Sequence, residues 1–482
     1  MKIISKTFKL LTVFLLVLGV TGCSDDDDNN VSNPQSNTIV DVALANGFTS
    51  LAAALEATDL VTTLQGAGPF TVFAPTNEAF DDLLNATGLN LNSLTPEQEE
   101  LVTNILLNHV IVGQEIPAST LISAGSGYAS TASPGPVDGS TISLYYNVDN
   151  GVVELNGGSD VVDGIGADVT TPDVMASNGI IHIVDAVIGL PDIVDHALNN
   201  DNFTSLTGAL GSENLVGALQ ADGPFTVFAP DNTAFGNFTN PNSNALSSIL
   251  LNHVIDDFIV ATDLVNAGAG YQKTLANGPT DLVDNDATNL SLYFNVGDDV
   301  VINGGPKVAA TDIVGTNGVI HVVDAVIDVP TVVTFALADP NFSNLVAALS
   351  EADGSSANPM YIPTLQGDGP FTVFAPNNQA FADLLDGATV ADLDDTLLNS
   401  VLAHHVSTAG NAVSGDLNPS GATTLPTLQG DDIIITLPST NGAIADVEDG
   451  AGNTDVGIVA VDVQAGNGVI HVLNKVMLPS SN

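Results

Sequence analysis

Six of the eight histidines fall at two recurring positions. His109, His253 and His405 close apolar runs (ILLNHVI twice, then VLAHHV). His182, His321 and His471 sit inside the phrases NGIIHIVDAVI, NGVIHVVDAVI and NGVIHVLNKVM. An imidazole offers metal ligation or proton transfer near neutral pH. Partners for either are missing from the sequence: there is no H-x-x-x-H pair and no cysteine close to any of them. His404 and His405 are adjacent, but neighbours on a helix point about 100° apart and do not share a metal. The reading adopted is structural, a buried ring hydrogen-bonded to backbone at a join between elements. Carboxylates are too abundant for any pair to stand out as acid and base: the chain has 56 Asp and Glu. It shows no G-x-S-x-G elbow, phosphate loop or zinc-protease helix, so no catalytic activity and no cofactor are expected. Asp281, Asp284 and Asp286 cluster in DLVDND without the spaced ligands and glycine of an EF-hand loop. Weak calcium binding is the most that cluster implies, and no dedicated metal site is expected.

The elements that must position these histidines repeat with them. The phrase GPFTVFAP starts at Gly68, Gly223 and Gly369. Its β-preferring centre lies between a Gly-Pro breaker and a second proline, which reads as a short buried strand. Thr76, Asp231 and Asn377 follow as helix N-caps, and an apolar stripe (Phe80, Leu83 and Leu84 in the first copy) continues from them. Thr95-Pro96-Glu97-Gln98 has the form of a capping box at the start of the helix that carries His109. The back half of each repeat alternates as strands, with Asp149-Asn150-Gly151 a hairpin turn. The third repeat inserts EADGSSANPMYIP, read as a loop. It also lacks the pairs Tyr145-Tyr146 and Tyr293-Phe294, so its middle sheet is expected to differ.

Repeats of about 150 residues are too long for solenoid units, so each is expected to have its own core. The boundaries read from the sequence are 37–190, 191–329 and 330–479, with Pro191, Pro330 and Pro479 at the seams. Ahead of them, residues 1–22 have the charge and apolar run of an export signal. Val20-Thr21-Gly22-Cys23 resembles a bacterial lipobox, which implies acylation of Cys23, the one cysteine of the chain. Residues 23–36 include four consecutive aspartates and read as a disordered acidic tether. Ser24 after the cysteine, with that acidic run, resembles lipoproteins of the outer membrane exported to the cell surface.

The formal net charge is −50, with no arginine. Past the leader, only Lys273, Lys307 and Lys475 are basic. Such a chain has nothing with which to displace phosphate counterions, so nucleic acid is excluded as a partner. Anionic membrane surfaces repel it, which leaves contact with the membrane to the lipid alone.

The TVFAP strand, the histidine closing a helix and the NG-x-I-H-V strand together resemble the fasciclin (FAS1) domain, three times over from about Asn37 to Pro479. The resemblance implies an α+β fold, a wedge of strands with packed helices, and adhesion or matrix association without catalysis. In animal matrix members a Tyr-His pair at the middle histidine is tied to integrin binding. Asn108-His109, Asn252-His253 and His404-His405 stand there instead, so integrin recognition does not carry over. The function read from the sequence is therefore a lipid-anchored adhesion protein that engages cell-surface or matrix proteins or polysaccharides through several modules. The alternative is a surface protein that binds polysaccharide or cations.

Overall fold

The computed structural model describes residues 37–159, 164–354 and 360–480. The leader, Cys23 and the acidic stretch to Ser36 lie outside the described residues. Each repeat builds one seven-stranded sheet and a set of helices packed against it. In the first unit the helices are α1 (Ile39–Ala45), α2 (Thr49–Ala57), α3 (Val61–Leu64), α4 (Asn77–Thr87), α5 (Pro96–Asn108) and α6 (Ala118–Ala124). Its strands are β1 (Phe70–Pro75), β2 (Val110–Val112), β3 (Ser126–Pro134), β4 (Thr141–Asp149), β5 (Val152–Leu155), β6 (Ala167–Ala176) and β7 (Gly179–Val184).

The strand order is β2-β1-β7-β6-β5-β4-β3. In the second unit the counterparts of β2 and β3 are paired, through Thr274 and Ile255, and the ladder opens between the counterparts of β5 and β6 instead. The two orders are one barrel-like ring cut at different places. Closure of this kind leaves few free strand edges.

The repeated phrase is the centre of that ring. β1 runs parallel to β7 with Phe73 opposite His182, and the same register pairs Phe228 with His321 and Phe374 with His471. The sequence motifs that open and close each unit are therefore adjacent strands. All six residues of β1 are buried, which explains its unbroken apolar run. Thr76, Asp231 and Asn377 cap the next helix, their side chains accepting the amides of Ala79, Ala234 and Ala380. Thr95 and Gln98 form the capping box of α5. The Asn150-Gly151 turn has both residues at positive φ (49° and 85°), as a tight hairpin between β4 and β5 requires.

Each unit holds two apolar clusters, one on each side of its sheet. In the first unit, Leu51, Leu55, Phe80 and Leu106 pack between helices and sheet, while Phe73, Ile111, Leu144 and Leu155 fill the barrel side. One expectation is corrected. The start of the insertion in the third unit is not loop: Glu351–Gly354 extend the helix Ser343–Gly354, and Tyr361–Leu365 form another helix. The middle sheet of that unit does differ, as expected: Ala422–Pro426 and Asp432–Thr436 have 5 residues each where β3 and β4 have 9, although with Ala445–Glu448 they keep the antiparallel order. Of the missing aromatics, the counterparts of Tyr145 and Tyr293 belong to the outer face and those of Tyr146 and Phe294 to the barrel interior.

The asparagine of each Asn-Gly turn has a role beyond the turn. Asn317 Oδ1 accepts the amide of Ile193 (3.1 Å), and Nδ2 donates to the carbonyls of Leu219 and Ala221 (both 2.8 Å). Asn178 and Asn467 tie the leading helices of their own units in the same way. Asn317→Ala leaves one amide and two carbonyls without this partner and is expected to cost about 2–4 kcal/mol. Urea unfolding of the whole chain measures it, and an unchanged midpoint would contradict this account of the turn.

Candidate functional site

His109 is the C-cap of α5 and is buried at 2% exposure. Its Nδ1 lies 2.7 Å from the carbonyl of Ile105, one turn back, and Nε2 accepts the amide of Ile188 at 2.9 Å. A carbonyl only accepts, so the proton must sit on Nδ1. His253 and His405 repeat the arrangement, donating to Ile249 and Val401 and accepting from Ile327 and Met477. Each ring ties the end of a helix to the segment that follows the closing strand.

The closing histidines carry the opposite tautomer. His182 Nε2 donates to the carbonyl of Ile116 (2.9 Å), and Nδ1 accepts the amide of Asp173 (3.3 Å). His321 donates to Ile259 and accepts from Asp312, while His471 donates to Ala412. The threonine of TVFAP grips the same segment: Thr71 Oγ1 donates to Gln114 and accepts from Ile116. Thr226 and Thr372 do likewise at 257–259 and 410–412. Each closing ring also packs on the phenylalanine opposite it, at centroid distances of 5.4–5.5 Å.

Burial pushes all six imidazoles below their usual range, and His109, His253 and His405 down to about 4. They are neutral at pH 7, with their ring nitrogens spent on backbone, apart from Nδ1 of His471, which has no partner. A ring committed in this way has no lone pair for a metal or a substrate proton. The structure brings the middle and closing histidines of a unit to opposite ends of shared segments, and not to a common cleft.

The residues beside the middle histidines are equally internal. Asn108 is fully buried, donating to Gly189 and accepting from Thr131. Asn252 is held by Asp328 and Thr274 in the same manner. In the third unit His404 fills that place, meeting Thr427 Oγ1 through Nδ1 and accepting the amide of Gly450 through Nε2. In all three units the residue before the middle histidine is thus a packed, hydrogen-bonded polar side chain and not a tyrosine.

The acidic loop is also occupied internally. Asp281 Oδ1 accepts the amides of Val283, Asp284 and Asn285. Among the described residues no group of three or more His, Cys, Asp or Glu side chains is placed to hold a metal ion. No single described helix is long and apolar enough to cross a membrane. Sequence reasoning missed Asp173, Asp312 and Asp462, which adopt positive φ (61–62°) in β6 and its counterparts. Their carboxylates accept the amides of Ala118, Ala261 and Ser414. Nothing in T-P-D, T-D-I or V-D-V announces such a bulge.

The fasciclin domain profile matches residues 46–191, 201–330 and 340–479. The chain belongs to the fasciclin domain family. Among its relatives, the pig transforming growth factor-beta-induced protein ig-h3 is 27% identical over 467 residues, covering 94% of this chain and 59% of that protein. Human periostin is 26% identical over 368 residues, 75% of this chain and 39% of periostin. The cell surface glycolipoprotein MPB83 of Mycobacterium bovis is 34% identical over 151 residues, 31% of this chain and 60% of MPB83. This fasciclin chain therefore spans less than two thirds of the length of each.

The depressed histidines make stability depend on pH. The folded pKa lies below the unfolded one, so the unfolded chain takes up protons first as pH falls. The contribution is complete above about 6.5 and is lost towards 4, on the order of 3 kcal/mol for each middle histidine. Urea unfolding across that range should lose stability, and His253→Gln should flatten the part that belongs to the second module. Equal slopes for parent and variant would contradict the neutral clamp.

Proposed function

We propose that this chain is a lipid-anchored surface protein whose three modules, taken as 37–190, 191–329 and 330–479, serve adhesion or matrix attachment. The observation that carries the reading is that fasciclin modules occupy nearly the whole of residues 46–479. Adhesion is what membership of the family implies. The interior placement of the histidines supports a role without catalysis, because the side chains suited to reaction are consumed in holding the fold. Partners are cell-surface or matrix proteins or polysaccharides that meet the outside of the modules. Several weak contacts on one chain raise the effective concentration for the next, and avidity then exceeds single-module affinity by about 10²–10⁴-fold.

Anchoring is assigned to acylated Cys23, in the cell outer membrane with the modules facing outward. The lone cysteine at the lipobox position supports this, as does a cell surface lipoprotein among the relatives. Cys23→Ala should move the chain from the membrane to the soluble fraction and abolish the attachment of cells to matrix-coated surfaces. Retention of the variant in membranes would overturn the anchor. Unchanged attachment by cells lacking the whole chain would overturn adhesion. Saturable binding of the intact chain on a glycan array would identify polysaccharide as the partner class.

A further inference from the structure

The two seams between modules are built from the same parts. At the first, Tyr128 of β3 and Tyr145 of β4 lie 5.0 Å apart, tilted by 46°. Tyr128 meets His196 of the next module's leading helix, Ile193–Leu198, edge-on at 5.5 Å. Its hydroxyl oxygen accepts from Asn200 Nδ2 (3.0 Å). Ser143 Oγ accepts the amide of Val314 from the second module (3.0 Å). At the second seam Tyr271 and Tyr293 lie 4.8 Å apart, and Tyr271 meets Phe335 edge-on at 5.6 Å. The Tyr271 hydroxyl donates to Asp339 (3.0 Å), and Ser291 Oγ accepts the amide of Gln464 (2.9 Å). Tyr128 and Tyr271 pack on the apolar core of the following module, and Tyr293 is part of that core. The second seam carries additions. Lys273 Nζ donates across it to the carbonyl of Asp462 (2.7 Å), and the amides of Leu282 and Val283 donate to Asp416.

The contributing surfaces lie at different ends of a module. The strands supply the tyrosines and serine, while the leading helix and the counterpart of β6 receive them, so the contact is head-to-tail. Each terminal module lacks one half. Where modules two and three carry His196 and Phe335, the first carries Val42, and Met175 takes the place of Val314 and Gln464. Met175 is 60% exposed, against 6% for Val314 and 0% for Gln464. In the third module Thr424 and Ile434 hold the register of the paired tyrosines, and Asp432 replaces the serine. A charged carboxylate there opposes burial under a neighbour.

We propose that the paired-tyrosine face is a directional docking socket whose partner is the leading helix of another fasciclin module. The matching plug is an aromatic residue followed four positions later by Asn or Asp, one helical turn apart and on one face. The third module, with Thr424, Ile434 and Asp432 at the socket positions, does not offer this socket. The modules consequently form a stiff rod and not beads on flexible joints.

The test uses the chain from residue 37 onward, which carries all three modules. Installing both missing halves (Val42→Phe with Thr424→Tyr, Ile434→Tyr and Asp432→Ser) should make the chain associate end to end. In sedimentation its average mass should rise with concentration, while the parent's mass should not. A folded variant that stays monomeric overturns the socket. In a second arm, Tyr128→Ala and Tyr271→Ala should each broaden the distance distribution from small-angle scattering as the rod gains a hinge. Profiles that match the parent's overturn the proposal even if the first variant fails to fold.

Discussion

The parallel pairing of β1 with β7 is the constraint on which each module depends. It brings the first and last thirds of a module together, and at its middle a phenylalanine faces a neutral histidine. From those two strands Thr71 and His182 reach the same loop segment, so one ladder fixes the sheet, the barrel closure and the route of the chain between helix and β3. A parallel pair cannot be joined by a tight turn and needs a long crossover. Here the crossover is nearly the whole module, from Pro75 to Gly179 in the first unit.

Much of this was legible in the sequence because the strongest signals are local. Breakers around TVFAP, capping residues after it and Asn-Gly turns act within a few residues, and each appears where those rules place it. The histidines were readable as structural because no second ligand stood near them. Their partners were not readable. Nothing in NGVIHVV states that His321 reaches Ile259, or that Asn317 reaches both Ile193 and Leu219. Such contacts join residues far apart in the chain and are fixed by topology. The tyrosines show a second limit: their absence from the third repeat signals the shorter strands there, but nothing local states that Tyr128 and Tyr271 pack on the module that follows. Antiparallel pairing persists with Thr424 and Ile434 at those places.

The substitution of His404 for Asn108 and Asn252 illustrates what the fold holds constant. Asn108 and Asn252 accept from the hydroxyls of Thr131 and Thr274, whereas His404, whose Nε2 accepts the amide of Gly450, carries its proton on Nδ1 and donates to Thr427 Oγ1. What the fold keeps at this place is a satisfied buried polar contact, and neither the residue type nor the direction of the hydrogen bond is fixed.

The ion pairs among the described residues all lie within single modules, and none spans a seam. Packing and short-range hydrogen bonds hold the modules to one another, whereas repulsion among the acidic side chains acts across distances set by the ionic atmosphere, about 8 Å at physiological strength. Brine and dilute water therefore alter how strongly neighbouring chains push one another apart, while the uncharged contacts that join the modules are left in place. Salt thus tunes the repulsion between chains separately from the contacts within each one.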